Sequence, residues 1–207
     1  MTANGSDSIN LASASYDADM AAVVNAECGA NLASGVIIET EKLASQQRRI
    51  SAFTDVAATA EQVWQVLTDY DNLANFIPNL AHSQRLNHPA GGIRLEQIGS
   101  QCFLNIKFCA RVVIDLVETF PQELCFSMVE GDFRHFEGKW TLEPSGSTPH
   151  ELVRLGYELV ICPPRAMPVG LIERHIRHDL SQNLRAISDR TTILFANQPV
   201  LEPNLGV

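Results

Sequence analysis

The chain has 207 residues, of which 45% are hydrophobic and 19% are charged, and its formal net charge is −9. This composition is typical of a globular protein and excludes a fibrous or wholly disordered chain. Only three residues are lysines, and the sequence shows none of the basic stripes that mark binders of nucleic acids or anionic membranes. No run reaches the ~18 apolar residues of a membrane-spanning helix. We therefore expect no nucleic-acid partner and no integral membrane segment.

The first residues differ in composition from the rest of the chain. Residues 1–34 are rich in Ala, Ser, Asn and Asp and contain few large apolar side chains. Such a segment buries too little surface to offset its ordering entropy, so we predict a disordered tail. It lacks the basic start and the apolar run of a secretory signal, which predicts a cytoplasmic protein. One domain is expected over residues 35–193, with a loose tail over residues 194–207; the sequence leaves the oligomeric state open.

The five cysteines show no spacing that is typical of a zinc site. Four of them fall in strand-like segments, and we interpret the set as reduced, small, buried side chains. The sequence also lacks the GxSxG, P-loop, GxGxxG and HExxH motifs of common enzymes. It therefore predicts no metal site and no cofactor.

The predicted domain begins with strand-like sequence. Residues 36–41 are β-rich, and residues 49–56 alternate between polar and apolar side chains, as a half-buried strand does. Thr59 and Gln62 then have the spacing of a capping box, in which each side chain bonds the other residue's backbone. This predicts that a short helix begins after Thr59.

A second short helix and a run of strands follow. Asp71 is expected to cap a helical turn over residues 75–77, which Pro78 ends because the residue before proline is disfavoured in the α conformation. Between residues 80 and 161, six alternating segments are separated by short turns rich in Gly and Pro. Consecutive strands joined by short turns predict an antiparallel meander.

A long helix is predicted from about Val169 to Thr191, after Pro168. Glu173 and Arg177 are expected to form an ion pair at i,i+4 on one flank. At about 100° per residue, one face collects the apolar residues Ile172, Ile176, Leu180, Leu184 and Ile187. The element order predicts an α+β fold: a curved antiparallel sheet wraps around the C-terminal helix, with two short helices after the first strand.

Three stretches of sequence resemble a known family. They are VWQVLTDYDNLANFIPNL (residues 63–80), EGDFRHFEGKW (130–140) and LIERHIRHDLSQNL (171–184). The resemblance is to the START-like polyketide cyclase/dehydrase family, which includes the coenzyme Q-binding START proteins of the SRPBCC superfamily. The sequences of these motifs are most similar to those of cyanobacterial and plant plastid members. Over residues 36–192, the resemblance implies the helix-grip fold of the birch pollen allergen and a ligand cavity between sheet and helix.

Relatives in this family bind isoprenoid quinones, lipids or polyketides, and some are aromatase/cyclases. The resemblance implies a protein that transports or sequesters a hydrophobic small molecule, with an isoprenoid quinone or a lipid as the leading ligand class. The alternative is a polyketide cyclase, aromatase or dehydratase that uses the same cavity. The expected ligand-binding residues are Tyr70, Phe76, Ile77, Phe108, Val112, Phe126, Met128, Trp140, Tyr157, Ile172, His175 and Ile176.

An enzyme of this type requires an acid or a base that projects into the cavity. The candidates are Tyr70, His135, Tyr157, His175 and Asp179. His175 and Asp179 lie one helical turn apart, so they could share a metal ion or act as an acid–base pair. A metal needs three or four converging ligands, and no third ligand is identifiable. The simpler interpretation is that Asp179 accepts a hydrogen bond from His175 at the edge of the core while His178 lies in solvent.

Two further groups of polar residues have competing interpretations. Tyr70 is predicted at the cavity mouth with its hydroxyl in water, although its ring could also serve only as core packing. An arginine inside the cavity could bind a ligand carboxylate. Arg111, Arg134 and Arg154 each fall opposite the more apolar face of their strand, so we expect them to face solvent.

Overall fold

The computed structural model describes residues 35–103, 106–145 and 152–196. The side chains of residues 101–108 are outside that description, and so are the tail predicted over residues 1–34 and the last residues from 197 onward. The strands and helices are β1 (Ile37–Ala44), β2 (Gln47–Val56), α1 (Ala60–Leu67), β3 (Leu80–Leu86), β4 (Ile93–Phe103), β5 (Ile106–Thr119), β6 (Glu123–Gly131), β7 (His135–Pro144), β8 (Val153–Cys162) and α2 (Val169–Phe195).

The eight strands form one antiparallel sheet in the order β1-β2-β8-β7-β6-β5-β4-β3. Strands β3 to β8 form the predicted meander, and β2 pairs with β8, so the second and last strands of the chain meet. The sheet curves around α2, which packs against β2 and α1. The predicted α+β helix-grip architecture is therefore confirmed. One detail was wrong: two strands, not one, precede the helices, because the chain reverses between Ala44 and Gln47.

The capping box at the start of α1 forms as the sequence predicts. The Gln62 backbone N–H donates to the Thr59 hydroxyl oxygen at 3.3 Å, and the Thr59 backbone N–H donates to Oε1 of Gln62 at 3.0 Å. These reciprocal bonds satisfy donors that a helix start otherwise leaves open. The helix then buries Val63, Trp64, Val66 and Leu67.

The second short helix is a 3-10 helix, Leu73–Asn75, and the prediction that Asp71 caps it was wrong. Asn72 occupies the cap position and makes no side-chain cap bond. Oδ1 of Asp71 instead accepts a 2.8 Å hydrogen bond from the backbone N–H of Arg85. Asp71 therefore fastens the segment after α1 to β3, an edge strand of the sheet.

Helix α2 extends one turn beyond its predicted end, to Phe195. Its predicted apolar face points into the core, where Leu184 and Ile187 are 0% exposed. The expected pair of Glu173 and Arg177 was wrong, because Glu173 bonds Arg48 on β2 at 2.9 Å and Arg177 donates to the Thr40 hydroxyl at 3.2 Å. No helix within the described ranges, α2 included, is long and apolar enough to cross a membrane.

The cysteines with described side chains carry free thiols, but their predicted burial was wrong. Cys109 is exposed, and Cys125 and Cys162 are half-buried. Each lies on a strand but outside the core. The side chains of Cys28 and Cys102 lie outside the described part of the chain.

Candidate functional site

A cavity of about 430 Å³ lies between the sheet and α2. This volume falls within the about 300–1,000 Å³ that is typical of small-molecule sites. Strand β5 supplies one wall because its alternate residues point inward, as predicted: Ala110, Val112, Ile114 and Leu116. Helix α2 supplies the opposite wall with Leu171, Ile172, Ile176, Leu180 and Ile187. The apolar faces of sheet and helix therefore oppose each other without filling the space between them.

Most of the residues predicted at the ligand line this cavity. They are Tyr70, Ile77, Val112, Phe126, Trp140, Tyr157, Ile172, His175 and Ile176. Phe76 and Met128 do not line it, and the side chain of Phe108 lies outside the described side chains. Contact of the lining residues with a ligand remains a prediction.

Phe76 faces a shallow groove on the outer side of α2. The Arg190 guanidinium lies 5.7 Å from the centre of its ring. Phe76 follows the 3-10 helix, where strand alternation does not set the direction of a side chain. The ring is therefore on the far side of the helix from the cavity.

Met128 packs against the core beside a β-bulge. The pairing of β5 with β6 shifts between Val113 and Ile114, which leaves Val129 as an extra residue on β6. A bulge bends its strand and redirects nearby side chains. The Met128 sulfur accordingly lies beside Gly131 instead of the cavity.

Aromatic side chains form part of the cavity wall. The rings of Trp140 and Tyr157 are 4.3 Å apart, and the ring of Phe126 stacks on Tyr157 at 5.8 Å. Burial raises the pKa of the Tyr157 hydroxyl. This wall offers flat apolar surface and one hydroxyl.

Tyr70 also lines the cavity. The prediction that its hydroxyl lies in water was wrong. The residue is 2% exposed, and its hydroxyl donates a 2.5 Å hydrogen bond to Oε1 of Glu118. The Ser83 hydroxyl donates to the Tyr70 carbonyl oxygen at 2.6 Å, and the Arg85 guanidinium lies 4.8 Å from the Tyr70 ring. Burial and the Glu118 carboxylate both raise the pKa of Tyr70. Tyr70 is therefore held as a neutral wall residue.

A row of polar side chains on α2 faces the cavity. His175, Asp179 and Asn183 all line it at spacings of four residues. The Asn79 side-chain amide donates to Oδ1 of Asp179 at 3.1 Å and to Oε1 of Gln182 at 3.0 Å. Burial raises the pKa of Asp179 to about 7. This carboxyl group therefore exchanges its proton near neutral pH.

The loop that carries Asn79 marks the cavity mouth. Pro78 and Asn79 are exposed and also line the cavity, so the cavity opens beside them. Asn79 has a φ of 63°, a left-handed conformation that asparagine tolerates better than most residues. Its carbonyl oxygen accepts a 2.8 Å bond from the Ser100 N–H. The loop is therefore tied both to the sheet and to α2.

Sequence reasoning identified part of the polar row and missed the rest. Asn183 follows Asp179 at the same four-residue spacing that links Asp179 to His175, so helical periodicity was the available signal. Asn79 carries no such signal, because its partners lie 100 or more residues away. The predicted exposure of His178 is confirmed. His135 pairs with Glu137 at 3.2 Å outside the cavity, so it does not supply the predicted cavity acid or base.

None of the three arginines faces the cavity, as predicted. Arg134, however, lies in the turn between β6 and β7, whereas the sequence predicted it in a strand. Arg111 binds the carboxylates of Glu96 and Glu130, each at 2.6 Å. Arg154 binds Asp55 at 3.1 Å, and Arg134 is exposed. Within the described ranges, no lysine or arginine lines the cavity, and no group of three His, Cys, Asp or Glu residues could hold a metal ion.

Comparison with known proteins connects this geometry to a family. A family model described as "Polyketide cyclase / dehydrase and lipid transport" matches residues 56–188. No curated protein shows a significant match to the chain. Solved structures of low sequence identity share the fold.

A START superfamily protein from Mycobacterium smegmatis is 16% identical with a TM-score of 0.59, over 70% of this chain and 98% of that one. A ZhuI aromatase/cyclase from a Streptomyces species is also 16% identical with a TM-score of 0.59, over 73% and 98%. A STAR-related lipid transfer protein from Xanthomonas axonopodis has the same two values, over 76% and 93%. These likenesses establish the START-type fold.

Proposed function

The chain belongs to the polyketide cyclase/dehydrase and lipid transport family, and on that premise we propose that it binds and carries a hydrophobic small molecule. The observation that carries this proposal is the open cavity of about 430 Å³ with predominantly apolar walls. Burial of apolar ligand surface at about 25 cal/mol per Å² would supply most of the affinity, less the cost of association. Fold neighbours named as a lipid transfer protein and an aromatase/cyclase are consistent with such a guest.

An isoprenoid quinone or a lipid-like molecule is the leading ligand class. The aromatic wall of Phe126, Trp140 and Tyr157 supports a planar ring, because offset stacking adds to the energy of burial. The volume accommodates a ligand of drug size. A long isoprenoid tail would therefore extend beyond the cavity, through the mouth beside Pro78 and Asn79.

We assign gating to residues 59–80, which include α1, the 3-10 helix and the mouth loop. The hydrogen bonds of Asn79 to α2 hold this segment over the guest and must break for the loop to move. The cytoplasm is the proposed location, and the free thiols of Cys109, Cys125 and Cys162 suit its reducing conditions.

Native mass spectrometry of the protein from a quinone-containing host tests this proposal. We expect the wild-type chain to carry a guest of defined mass. Ala110→Phe adds a ring to the cavity wall and should abolish the guest signal. Val117→Phe is the matched control, because Val117 lies on the same strand but is 67% exposed. Carriage of the same guest by both variants, or its absence from the wild type, would contradict the proposal.

A specific observation also supports catalysis as a second function. Asp179 and His175 both line the cavity one turn apart, and the pKa of Asp179 is about 7. A group with such a pKa can give and take protons during enolisation or dehydration, typically for about 10²–10⁴-fold in rate. If the protein is a cyclase or dehydratase, Asp179→Asn should reduce turnover of a poly-β-ketone thioester by about that factor. Asp189→Asn, an exposed change on the same helix, is the control.

A further inference from the structure

A shallow groove on the outer side of α2 forms a second surface, separate from the cavity. Its walls are Phe76, Pro78 and one face of α2 between Gln182 and Ile193. Pro78 also lines the cavity, so the groove and the cavity mouth adjoin at this residue. The binding function proposed above makes no use of the groove.

The α2 residues of the groove have the spacing of a helix–helix contact. Gln182, Ala186, Asp189 and Ile193 follow one another at intervals of four, three and four residues, so they form one line along the helix. The small side chain of Ala186 lets a second helix approach closely. Ile193 is 72% exposed, more than any other large apolar side chain among the described residues, and Leu194 beside it is 46% exposed. This line therefore presents apolar surface to a partner.

The charges on this face suit a second copy of the same helix. Arg185 and Asp189 are both exposed, and each is two residues from Ile187. If two copies of α2 pack antiparallel at the level of Ile187, Arg185 of each copy faces Asp189 of the other, which gives two pairs of opposite charge. A parallel arrangement, or a partner of uniform charge, would place at least one of these residues against its like.

The net charge of the chain also favours this face for self-association. Two chains of net charge −9 repel each other wherever acidic surfaces meet. The groove carries two arginines, Arg185 and Arg190, and one aspartate, so two copies can meet here without bringing acidic surfaces together.

We propose that the outer face of α2 is the interface of a homodimer in which the two α2 helices pack antiparallel. In this arrangement Ile193 of each copy reaches the Gln182 end of the other helix, beside Pro78, and loses its exposure to water. Pro78 is the only residue that the groove and the cavity share among those described, so the proposal stands independently of the guest that the cavity binds.

Sedimentation velocity of the full chain, over about 1 to 200 µM, measures this equilibrium. We expect monomers and dimers with a dissociation constant of about 10 µM, because one pair of helices makes a small interface. Ile193→Glu should raise this constant by about tenfold or more, since the dimer would bury a charge without a partner. Val117→Glu is the matched control, because it places the same charge at a 67% exposed position on β5, and it should leave the constant unchanged.

Charge reversal tests the antiparallel pairing. Arg185→Asp and Asp189→Arg each place like charges opposite one another, so each variant alone should dimerise about tenfold more weakly than the wild type. An equimolar mixture of the two variants restores both pairs of opposite charge and should dimerise within about threefold of the wild-type constant. An effect confined to one helix would not be rescued by mixing. Removal of the charge alone, in Asp189→Asn, should change the constant by less than about threefold, because exposed ion pairs contribute little.

A chain that stays monomeric over the whole range would overturn the inference and leave the groove to another kind of partner. A dimer that Ile193→Glu does not weaken, or a mixture of the two charge variants that dimerises no better than either alone, would overturn it as well. Each of these results leaves the proposed binding function intact.

Discussion

Tyr70 and Glu118, 48 residues apart in sequence, are joined by a 2.5 Å hydrogen bond from the tyrosine hydroxyl to Oε1 of the glutamate. The bond connects the segment after α1 to the end of β5. Nearby, the ring of Phe120 meets Trp64 edge-on, with 5.6 Å between centres. A polar contact and an aromatic contact thus join the end of β5 to α1 and to the segment that follows it.

Removal of the Tyr70 hydroxyl should weaken the attachment of this segment to β5. Tyr70→Phe is expected to lower the free energy of unfolding by about 1–2 kcal/mol, because the buried tyrosine loses its hydrogen bond to a carboxylate. Glu118→Gln should cost less, since its amide oxygen still accepts the bond. Urea denaturation at pH 7 measures both. Equal stability of Tyr70→Phe and the wild type would show that the bond contributes nothing.

The raised pKa values of Tyr70 and Tyr157 predict that the protein loses stability in alkali. The pKa values of Tyr70 and Tyr157 are raised in the folded state, so both hydroxyls stay protonated where an unfolded tyrosine ionises, above about pH 10. The unfolded state then binds fewer protons than the folded state, and stability falls as pH rises. The double variant Tyr70→Phe/Tyr157→Phe should flatten the pH dependence above 10. An unchanged slope would contradict the assignment.

The raised pKa of Asp179 predicts that the effect of Asp179→Asn on stability depends on pH. The pKa of Asp179 rises from 3.8 in the unfolded state to about 7 in the folded state, because burial disfavours the ionised carboxylate. The free energy of unfolding therefore falls as the pH increases through this interval. Asp179→Asn should therefore stabilise the protein at pH 8, by about 1–2 kcal/mol after allowance for solvent screening. The gain should vanish below about pH 4, where wild-type Asp179 is protonated in both states.

Thermal unfolding across this pH range checks the prediction for Asp179. The control is Asp189→Asn, which changes the same charge at an exposed position of the same helix. A gain that is equal at pH 4 and pH 8 would show that the effect of Asp179→Asn does not arise from the proton equilibrium.

Local signals predicted the elements, and tertiary contacts changed their details. Thr59 and Gln62 lie three residues apart, and their capping box formed as expected. Asp71 had an equally local signal, but the Arg85 backbone on β3 competes for its carboxylate. Glu173 likewise pairs with Arg48, 125 residues away, in place of its helical neighbour. A sequence pattern cannot weigh a partner that only the fold brings near.

The sequence pattern also could not predict the cavity by itself. Alternation placed Val112, Phe126, Trp140 and Tyr157 on the inner face, and all four line the space beside α2. An apolar stripe looks identical whether the opposing face fills the gap or leaves it open, so only the family resemblance indicated a cavity. Met128 was misplaced because a bulge, which leaves no clear mark in the apolar pattern, redirects β6.

The mouth loop predicts a change in ligand release. Asn79→Gly keeps the left-handed backbone without strain and removes both side-chain bonds to α2. Release of a bound fluorescent probe, followed by stopped flow, should accelerate by about 3–10-fold, as expected for the loss of about 1 kcal/mol of restraint. Asn79→Ala should be less stable than Asn79→Gly by about 1 kcal/mol because alanine disfavours that conformation. Unchanged release would exclude the loop as a gate.

Gly138 and Gly170 differ in whether the structure leaves room for a side chain, so substitutions at the two positions can be compared. A Cβ at Gly138 on β7 would overlap the Glu158 backbone oxygen and lie 2.7 Å from Cζ of Phe126, so Gly138→Ala should cost about 2–3 kcal/mol. A Cβ at Gly170 meets nothing within 4 Å, and Gly170→Ala should stabilise α2 by about 0.5–1 kcal/mol. Chemical denaturation measures the free energy of unfolding of both variants. Similar effects of the two substitutions would contradict the close packing described around Gly138.

The existence of an open, ligand-accepting cavity is tested most directly by titration with N-phenylnaphthylamine. The wild-type chain and the exposed control Val117→Phe should each saturate with one bound probe per chain and a strong rise in probe fluorescence. Ala110→Phe, folded by circular dichroism, should show no saturable binding because its ring occupies the space between β5 and α2. Binding by Ala110→Phe that matches the wild type in affinity and stoichiometry would show that the probe, and by extension the guest, does not use this cavity.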